Sequence, residues 1–348
     1  MPLGGLWRDD NKVHELLSEV WAADRLEWRM NEIGRRITDK LIEIHGSTDF
    51  SIAFLPYKRS MWNSMQSVYE ECKTSGIDAH VYPIPYIRMK QNKELDYIDS
   101  DFDLFGDIAE RIEDFTGADY IAIHYQYEDH NRVTNMLPEY FTKALKERYH
   151  AKIVYLPYGI GNGAGCFAIQ PGCRDVDYAF LEDKNSAERF IAGWLTQGVD
   201  FNGRCFGYGS AKLDMCRDLP RVIPSEWVER IGDRKVTLIC NSLGAFLSQP
   251  EIKLSMYKTH VINELGQVHA VIFRPHPLLW QTIKSMCPNM ESKYAAFVQW
   301  LKGKREHHVI YDESEYLERA FAAADYLISD PSSLIPMWKV TGKEYMIL

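Results

Sequence analysis

The feature that most constrains the fold is a repeated alternation of short apolar runs with amphipathic segments. The first series of apolar runs covers residues 51–57, 79–86, 120–125, 152–158, 178–182 and 205–209. The second series covers residues 236–242, 270–277, 308–313, 326–329 and 345–348. Strands that alternate with helices favour right-handed crossovers and mainly parallel sheets with helices on both faces. The sequence therefore predicts an α/β fold of two Rossmann-like domains whose parallel sheets face a central cleft.

This pattern divides the chain into three segments. Residues 12–44 carry apolar side chains at helical spacing, which predicts an N-terminal helical segment over residues 1–45. The two Rossmann-like domains are expected over residues 46–220 and 221–348, with a hinge in the proline-containing stretch 218–232. Ligands of such sheets bind beyond the carboxyl ends of the strands, so the loops at those ends are the candidate site.

Composition excludes several classes of function. The formal net charge of -9 argues against nucleic-acid binding, which needs a basic face. The sequence contains no apolar stretch long enough to span a bilayer and no apolar leader after Met1. The seven cysteines are scattered without a metal-ligand spacing, so we expect no metal site and a reducing cytoplasm. A peripheral contact with the inner face of a membrane remains compatible with the sequence.

Two loops in the second half carry the strongest sign of a ligand. The first follows an apolar run and offers Arg274 and His276 between prolines, and the second offers Asp330, Ser332 and Ser333 before a helical stretch. Unpaired backbone N–H groups at the start of a helix favour anions. A histidine that caps a carbonyl and a serine that only caps the helix are the alternatives. Together the loops predict a pocket for the diphosphate of a nucleotide-activated donor.

Other strand exits of the second half suggest contacts with the nucleoside. Asn241 and Ser242 suit contact with a base or ribose, and an ordinary helix cap explains them equally well. Glu315 lies at the start of another helix, beside further acidic residues. Its carboxylate can accept hydrogen bonds from ribose hydroxyls, although acids in a first turn also simply complement the helix dipole.

The first half offers candidates for binding an acceptor. Lys58, Arg59, Ser60 and Trp62 follow the apolar run at 51–57. Two cations at the rim of a sheet can hold a second anion, such as an acceptor phosphate. A solvated turn is the alternative interpretation.

A further strand exit is dense in groups that can move a proton. It contains His124, Glu128, Asp129 and His130, and we expect one of them to act as the general base, without a choice among them. The glycine-rich segment 159–167 lacks the spacing of a dinucleotide or P-loop motif and predicts a mobile loop near the acceptor.

Six segments together resemble the CDP-glycerol glycerophosphotransferase family, which builds teichoic-acid-like polymers. They are residues 54–72, 81–86, 207–214, 241–247, 273–279 and 329–343. The resemblance implies a GT-B fold that binds CDP-glycerol in its C-terminal half, with the diphosphate held by His276, Asp330, Ser332 and Ser333. The chain departs from the family in one respect. The His-Gly-Thr motif that is thought to supply the base is absent, and that strand ends YLPYGIG.

The expected function is therefore a transferase of GT-B architecture, with no cofactor besides its donor substrate. It would move glycerol phosphate, or a related nucleotide-activated group, from CDP-glycerol to a hydroxyl of a cell-envelope glycan or polyol phosphate. Two alternatives remain open from the sequence. One is a glycosyltransferase that uses a nucleotide sugar, and the other is a binding module that kept the nucleotide pocket but lost its base.

Overall fold

The computed structural model describes residues 31–160, 169–217, 219–262, 265, 268–303 and 308–348. The strands are β1 Ser51–Phe54, β2 Asp78–Val81, β3 Tyr86–Met89, β4 Leu95–Asp99, β5 Tyr120–Ile123, β6 Thr134–Met136, β7 Lys152–Tyr155, β8 Tyr178–Leu181, β9 Cys205–Gly207, β10 Val236–Cys240, β11 Ala270–Arg274, β12 Val309–Tyr311, β13 Tyr326–Ser329 and β14 Tyr345–Ile347. The α-helices are α1 Glu32–His45, α2 Gln66–Thr74, α3 Thr142–Tyr149, α4 Lys184–Leu195, α5 Ser225–Ile231, α6 Leu243–Ser248, α7 Pro250–Met256, α8 Leu279–Met286, α9 Glu291–Gly303, α10 Leu317–Ala323 and α11 Leu334–Val340.

Two parallel sheets organise the chain. The first has the strand order β2-β1-β5-β7-β8-β9, and the second has the order β12-β11-β10-β13-β14. The central strands β10 and β11 are buried at every position, as expected where helices cover both faces of a parallel sheet. The predicted α/β fold with two parallel sheets is confirmed.

The predicted N-terminal helix is described only from its second half onward. Residues 1–30 lie outside the described residues, as do residues 161–167 of the predicted mobile loop and residue 168 after it. Helix α1 packs Ile33 and the apolar side chains that follow it into the core of the first sheet. Gly34 allows this close approach, since a Cβ atom there would lie 2.5 Å from the backbone oxygen of Ser67.

The segment between β2 and β7 differs from its prediction. Strands β4, β3 and β6 form a small antiparallel sheet that the apolar runs did not indicate. Residues 105–116 are one of the amphipathic segments between the apolar runs, so the alternation predicts a helix there, and this prediction is wrong. They form short 3-10 turns, interrupted at Gly106 by a backbone with φ of 58° that disfavours a continuing helix.

A short 3-10 helix, Ala211–Cys216, joins the cores of the two large sheets. Ala211 packs in the core beneath the first sheet, and Cys216 packs in the core beneath the second. The carboxylate of Asp214 accepts hydrogen bonds from the backbone N–H groups of Ile33 and Gly34, which start helix α1. This connection fixes the segment that carries Lys212 to the cleft. Among the described residues, no helix is long and apolar enough to cross a membrane.

Candidate functional site

A cavity of about 110 Å³ lies where loops from both sheets meet. Its lining includes Ser60, Met61, Asn63, Tyr158, Gly159, Lys212, Cys240, Asn241, Arg274, Pro275, His276, Pro277, Leu317, Ser332, Ser333, Leu334 and Met337. Apart from Leu317, which begins helix α10, these residues lie at or after the carboxyl ends of strands β1, β7, β10, β11 and β13 or on the connecting 3-10 helix. The structure therefore brings the two predicted loops, with His276 and Ser332, onto one cavity.

His276 is held as a neutral hydrogen-bond donor. Its backbone N–H donates to Asn241 Oδ1 at 3.2 Å, and its Nδ1 accepts from the backbone N–H of Leu278 at 3.1 Å. Burial, together with the nearby charges of Lys212 and Arg274, lowers the pKa of the imidazole to about 4. Because Nδ1 is an acceptor in the neutral ring, the proton resides on Nε2. The imidazole can therefore donate from Nε2 to a phosphate oxygen.

Asn241 and the two serines supply further neutral polar groups. The amide Nδ2 of Asn241 is buried and has no hydrogen-bond partner within the described part of the chain. Ser332 Oγ lies 3.3 Å from Ser329 Oγ and accepts from the backbone N–H of Leu334 at 3.3 Å. Ser333 makes no side-chain capping bond to helix α11. One wall of the cavity thus offers hydrogen-bond donors that are not fully used.

Asp330 and Ser242 do not reach the cavity, which corrects their predicted role as donor ligands. Asp330 is 0% exposed, and its carboxylate accepts from Ser242 N at 3.1 Å, Lys253 Nζ at 2.5 Å and Tyr257 Oη at 2.8 Å. Ser242 caps helix α6 by accepting from the backbone N–H of Ala245. Both carboxylate oxygens are therefore occupied by donors within the fold. Both residues fix the loops that carry Asn241 and Ser332.

Arg274 also has an internal role. Its guanidinium forms an ion pair with the buried carboxylate of Asp312 and donates to the hydroxyl and backbone oxygens of Ser314. The prediction that the Arg274 guanidinium binds the donor diphosphate directly is therefore corrected, because Asp312 already neutralises this cation. Arg274 lines the cavity but positions the turn that leads to Glu315.

A second cavity has a volume of about 370 Å³. His276 and its flanking prolines line both cavities, so the two meet at this loop. Aromatic rings of Trp280 and Tyr311 line the second cavity, together with Glu313 and Glu315. Its size and aromatic lining are suited to a nucleoside. Glu315 Oε2 has no partner among the residues described by the structure, so it remains a candidate for contact with a ribose hydroxyl.

Lys58 is not available to an acceptor. It is 1% exposed, and its ammonium donates to Tyr86 Oη at 3.0 Å. The same ammonium lies 3.5 Å from carboxylate oxygens of Asp101 and Glu315. Two carboxylates neutralise this buried cation, so the geometry does not support the prediction that it binds an acceptor anion. It instead ties the first half of the chain to the second.

Arg59 and Trp62 are likewise occupied inside the protein. The guanidinium of Arg59 lies 3.5 Å from Glu318 and 4.7 Å from the ring centre of Tyr316, both in the second half. Trp62 is fully buried and packs its ring against Phe54 and other aromatic side chains of the core. The geometry therefore does not support their predicted contact with an acceptor. Of the four predicted acceptor residues, Ser60 lines the cavity.

His124 is a structural histidine, which corrects its prediction as a candidate base. Its Nε2 accepts from the backbone N–H of Tyr57 at 3.2 Å, so its proton lies on Nδ1 and faces Ser64 Oγ at 3.4 Å. Ser64 Oγ in turn donates to Met61 O. Burial lowers the pKa of His124 to about 3, and the charge of Lys212 contributes. Both ring nitrogens are thus used within the fold.

The other candidate bases lie away from both cavities. Glu128 accepts from the backbone N–H of Thr142 at 3.0 Å and so caps helix α3, and its burial raises the pKa of the carboxyl. Asp129 and His130 are exposed and face each other at 3.6 Å. None of the three lines either cavity. The prediction of a base from this loop is therefore not supported by the geometry.

Sequence reasoning missed three polar residues of the cavity lining. Lys212 is buried and lies close enough to His276 to lower the pKa of that imidazole. Asn63 and Tyr158 line the same cavity. Lys212 belongs to the segment 207–214, which carries part of the family resemblance. That resemblance was the sequence feature that could have indicated Lys212 as a site residue. In the described ranges, no group of His, Cys, Asp and Glu is placed to hold a metal ion.

The structural comparisons identify the fold. The chain is similar to the UDP-GlcNAc 2-epimerase of Methanocaldococcus jannaschii, with a TM-score of 0.52, 12% identity, and coverage of 86% of this chain and 83% of that one. It is similar to the S. aureus MnaA–UDP structure, with a TM-score of 0.50, 12% identity, and coverage of 86% and 79%. The comparison with the wall teichoic acid polymerase TagF, from a crystal soaked with CDPG, gives a TM-score of 0.43 at 15% identity. It covers 97% of this chain and 77% of that one.

At these sequence identities the similarity establishes the fold alone, and it is based on the matches with TM-scores of 0.52 and 0.50. No model of a protein family matches the sequence, and no curated protein matches it. The two parallel sheets and the structural matches together show a GT-B-like fold.

Proposed function

We propose that this chain is an enzyme of GT-B fold that binds a nucleotide-activated donor across the two cavities. It moves glycerol phosphate, or a related group, from CDP-glycerol to a hydroxyl of a cell-envelope glycan or polyol phosphate. The second half, residues 221–348, holds the donor, and the first, residues 46–220, receives the acceptor. The unpartnered Nδ2 of Asn241 beside the donating imidazole of His276 carries this proposal. Two donors at one cavity match the oxygens of a diphosphate.

The proposed chemistry is a displacement at phosphorus. An acceptor hydroxyl oxygen attacks the β-phosphorus, a new P–O bond forms, and the bond to the bridging oxygen breaks. CMP leaves with the electron pair of that bond, and the hydroxyl proton passes to solvent. His276 Nε2, Asn241 Nδ2 and the ammonium of Lys212 stabilise the charge that develops on the phosphate oxygens.

A glycosyltransferase is the second choice. It would use the same residues to hold a departing nucleoside diphosphate while the acceptor attacked a sugar carbon. The product separates the two reactions, because transfer of glycerol phosphate releases a nucleoside monophosphate and glycosyl transfer releases a nucleoside diphosphate.

One observation favours a different class, a binding module without catalysis. No Asp or Glu is found among the described residues that line the first cavity, so a carboxylate base is missing there. Phosphoryl transfer through a loose transition state depends mainly on positioning and electrostatics, and a strong base is not essential. The transferase therefore remains the preferred function, and CMP release separates the two classes.

The test begins with donor binding to the purified chain. A ligand that binds only the native state raises the melting temperature. We expect CDP-glycerol and CDP to raise it more than UDP-linked hexoses do. Incubation with CDP-glycerol and an acceptor should then release CMP. Binding without CMP release for any acceptor would favour the module, and absence of nucleotide binding would refute both functions.

Two variants test the residues that carry the proposal. Asn241→Asp retains the oxygen that accepts from His276 N but places a negative charge where Nδ2 stands. It should weaken CDP binding by about 100-fold, from a lost donor and charge repulsion together. Asn202→Asp, in an exposed turn, is the matched charge control. His276→Ala should nearly abolish CMP release without loss of the fold, and normal turnover would remove it from the mechanism.

A further inference from the structure

The first half of the chain presents two unsatisfied polar groups to the first cavity. Ser60 and Asn63 both line it, and Ser60 Oγ and Asn63 Oδ1 are buried without a hydrogen-bond partner in the part of the chain described. A buried polar group left unpaired costs about 1–3 kcal/mol, and such groups in native proteins need an explanation. A ligand that completes both hydrogen bonds provides one.

The two side chains share one face of a rigid turn. They lie on the 3-10 helix Arg59–Ser64, which directly follows strand β1 and its exit loop. Side chains three residues apart in a 3-10 helix are eclipsed, so Ser60 and Asn63 stand one above the other. The turn is fixed by the buried ring of Trp62 and by the hydrogen bond from Ser64 Oγ to Met61 O at 2.8 Å.

The chemistry of these groups differs from that of the donors supplied by the second half. A primary amide and a hydroxyl each offer both an acceptor and a donor, which is what a ligand hydroxyl requires. The carbonyl oxygen of Asn63 disfavours an anion. Asn241 Nδ2 and His276 Nε2, from loops of the second half, are donors that suit phosphate, and Lys212 adds positive charge from a 3-10 helix that packs against the one carrying Ser60 and Asn63. The cavity thus combines donors for phosphate with groups suited to hydroxyls.

We propose that Ser60 and Asn63 bind hydroxyl groups of the transferred part of the donor. This inference rests on the proposed function and deepens it, because it makes the first half a determinant of donor specificity. A donor whose β-phosphate bears an uncharged polyol is accepted, while one whose β-phosphate bears a group without hydroxyls is rejected. Sites built to hydrogen-bond a hydroxyl discriminate strongly against analogues that lack it, because their own polar groups are then left unpaired.

The test compares CDP with CDP-glycerol by isothermal titration, in the absence of an acceptor. In the wild-type chain CDP-glycerol should bind more tightly than CDP. Asn63→Leu and, separately, Ser60→Ala should each reduce this preference about five- to tenfold while CDP affinity changes less than twofold. Asn135→Leu is the matched control. Its amide is also buried with an unpaired Oδ1, but it lies outside both cavities.

The outcomes separate this inference from the function on which it rests. If CDP does not bind the wild-type chain, the proposed function fails and the inference fails with it. If CDP binds and the preference for CDP-glycerol is unchanged in both variants, the inference alone is overturned. An increase in the acceptor KM without a change in donor preference also overturns it, because the two residues would then bind the acceptor. Circular dichroism establishes whether each variant is folded. If Asn63→Leu does not fold, Ser60→Ala alone tests the preference for CDP-glycerol over CDP.

Discussion

Replacement of His124 by glutamine should remove a pH-dependent part of the stability of this protein. His124 is 1% exposed and neutral, and its two ring nitrogens lie against Tyr57 N and Ser64 Oγ. Protonation would place a charge in the core and would remove the acceptor for Tyr57 N. The unfolded chain has no such restriction, so it takes up the proton first as the pH falls.

The magnitude follows from the two pKa values. The pKa of His124 is about 3 in the folded protein, and a histidine in an unfolded chain has a pKa of about 6.5. Because the folded pKa is the lower one, the contribution of the neutral ring is complete above about pH 6.5 and is lost as the pH falls towards 3. At pH 5 about thirty unfolded chains carry the proton for each that does not, which costs about 2 kcal/mol of folding free energy.

Urea unfolding at pH 7 and pH 5, for the wild-type chain and for His124→Gln, measures this effect. The wild-type free energy of unfolding should fall by about 2 kcal/mol more than that of the variant. His276 has a lowered pKa and acts in the same direction, but it is present in both proteins and cancels in the difference. Equal pH dependence of the two proteins would refute the structural role. CMP release should persist in His124→Gln. If His124 were the catalytic base, the substitution would instead abolish CMP release.

Two further substitutions test the corrected roles of charged residues. Asp330→Asn breaks a buried ion pair with Lys253 and should lower the free energy of unfolding by roughly 3 kcal/mol in urea titrations; an unchanged value would show that the carboxylate is dispensable. Lys58→Met leaves Asp101 and Glu315 without their shared cation and should destabilise the chain by roughly 3 kcal/mol, with partial recovery in the double variant with Glu315→Gln. A raised acceptor KM at full stability would instead restore Lys58 as an acceptor ligand.

The sheets could be predicted because their strands carry a strong local signal. Strands β10 and β11 are mostly apolar and are bounded by polar loops, as burial on both faces requires. Strand β4 gives no such signal. Its sequence LDYID is mostly exposed, and it is held by pairing with β3 rather than by burial. Pairing between distant segments is not visible in the local pattern, so the small sheet was missed.

The positions of the site residues were easier to predict than their roles. His124 and His276 each follow a parallel strand, and the sequence treats them alike. The structure separates them by their partners. Both nitrogens of His124 are used inside the fold, whereas Nε2 of His276 is left to donate towards the cavity. Which nitrogen is occupied depends on backbone groups of neighbouring loops, and no sequence pattern specifies them.

The errors share one physical cause, which is the cost of burying a charge. Charged side chains at a strand exit look like ligands for anions, yet a buried charge without a partner costs far more than a buried amide or hydroxyl. Lys58, Arg274 and Asp330 are therefore paired within the protein, and pairing removes them from the list of direct ligands. Neutral groups can stay unsatisfied until a ligand arrives. For this reason Asn63 and Asn241, which carry no charge, are the stronger indicators of where the ligand binds.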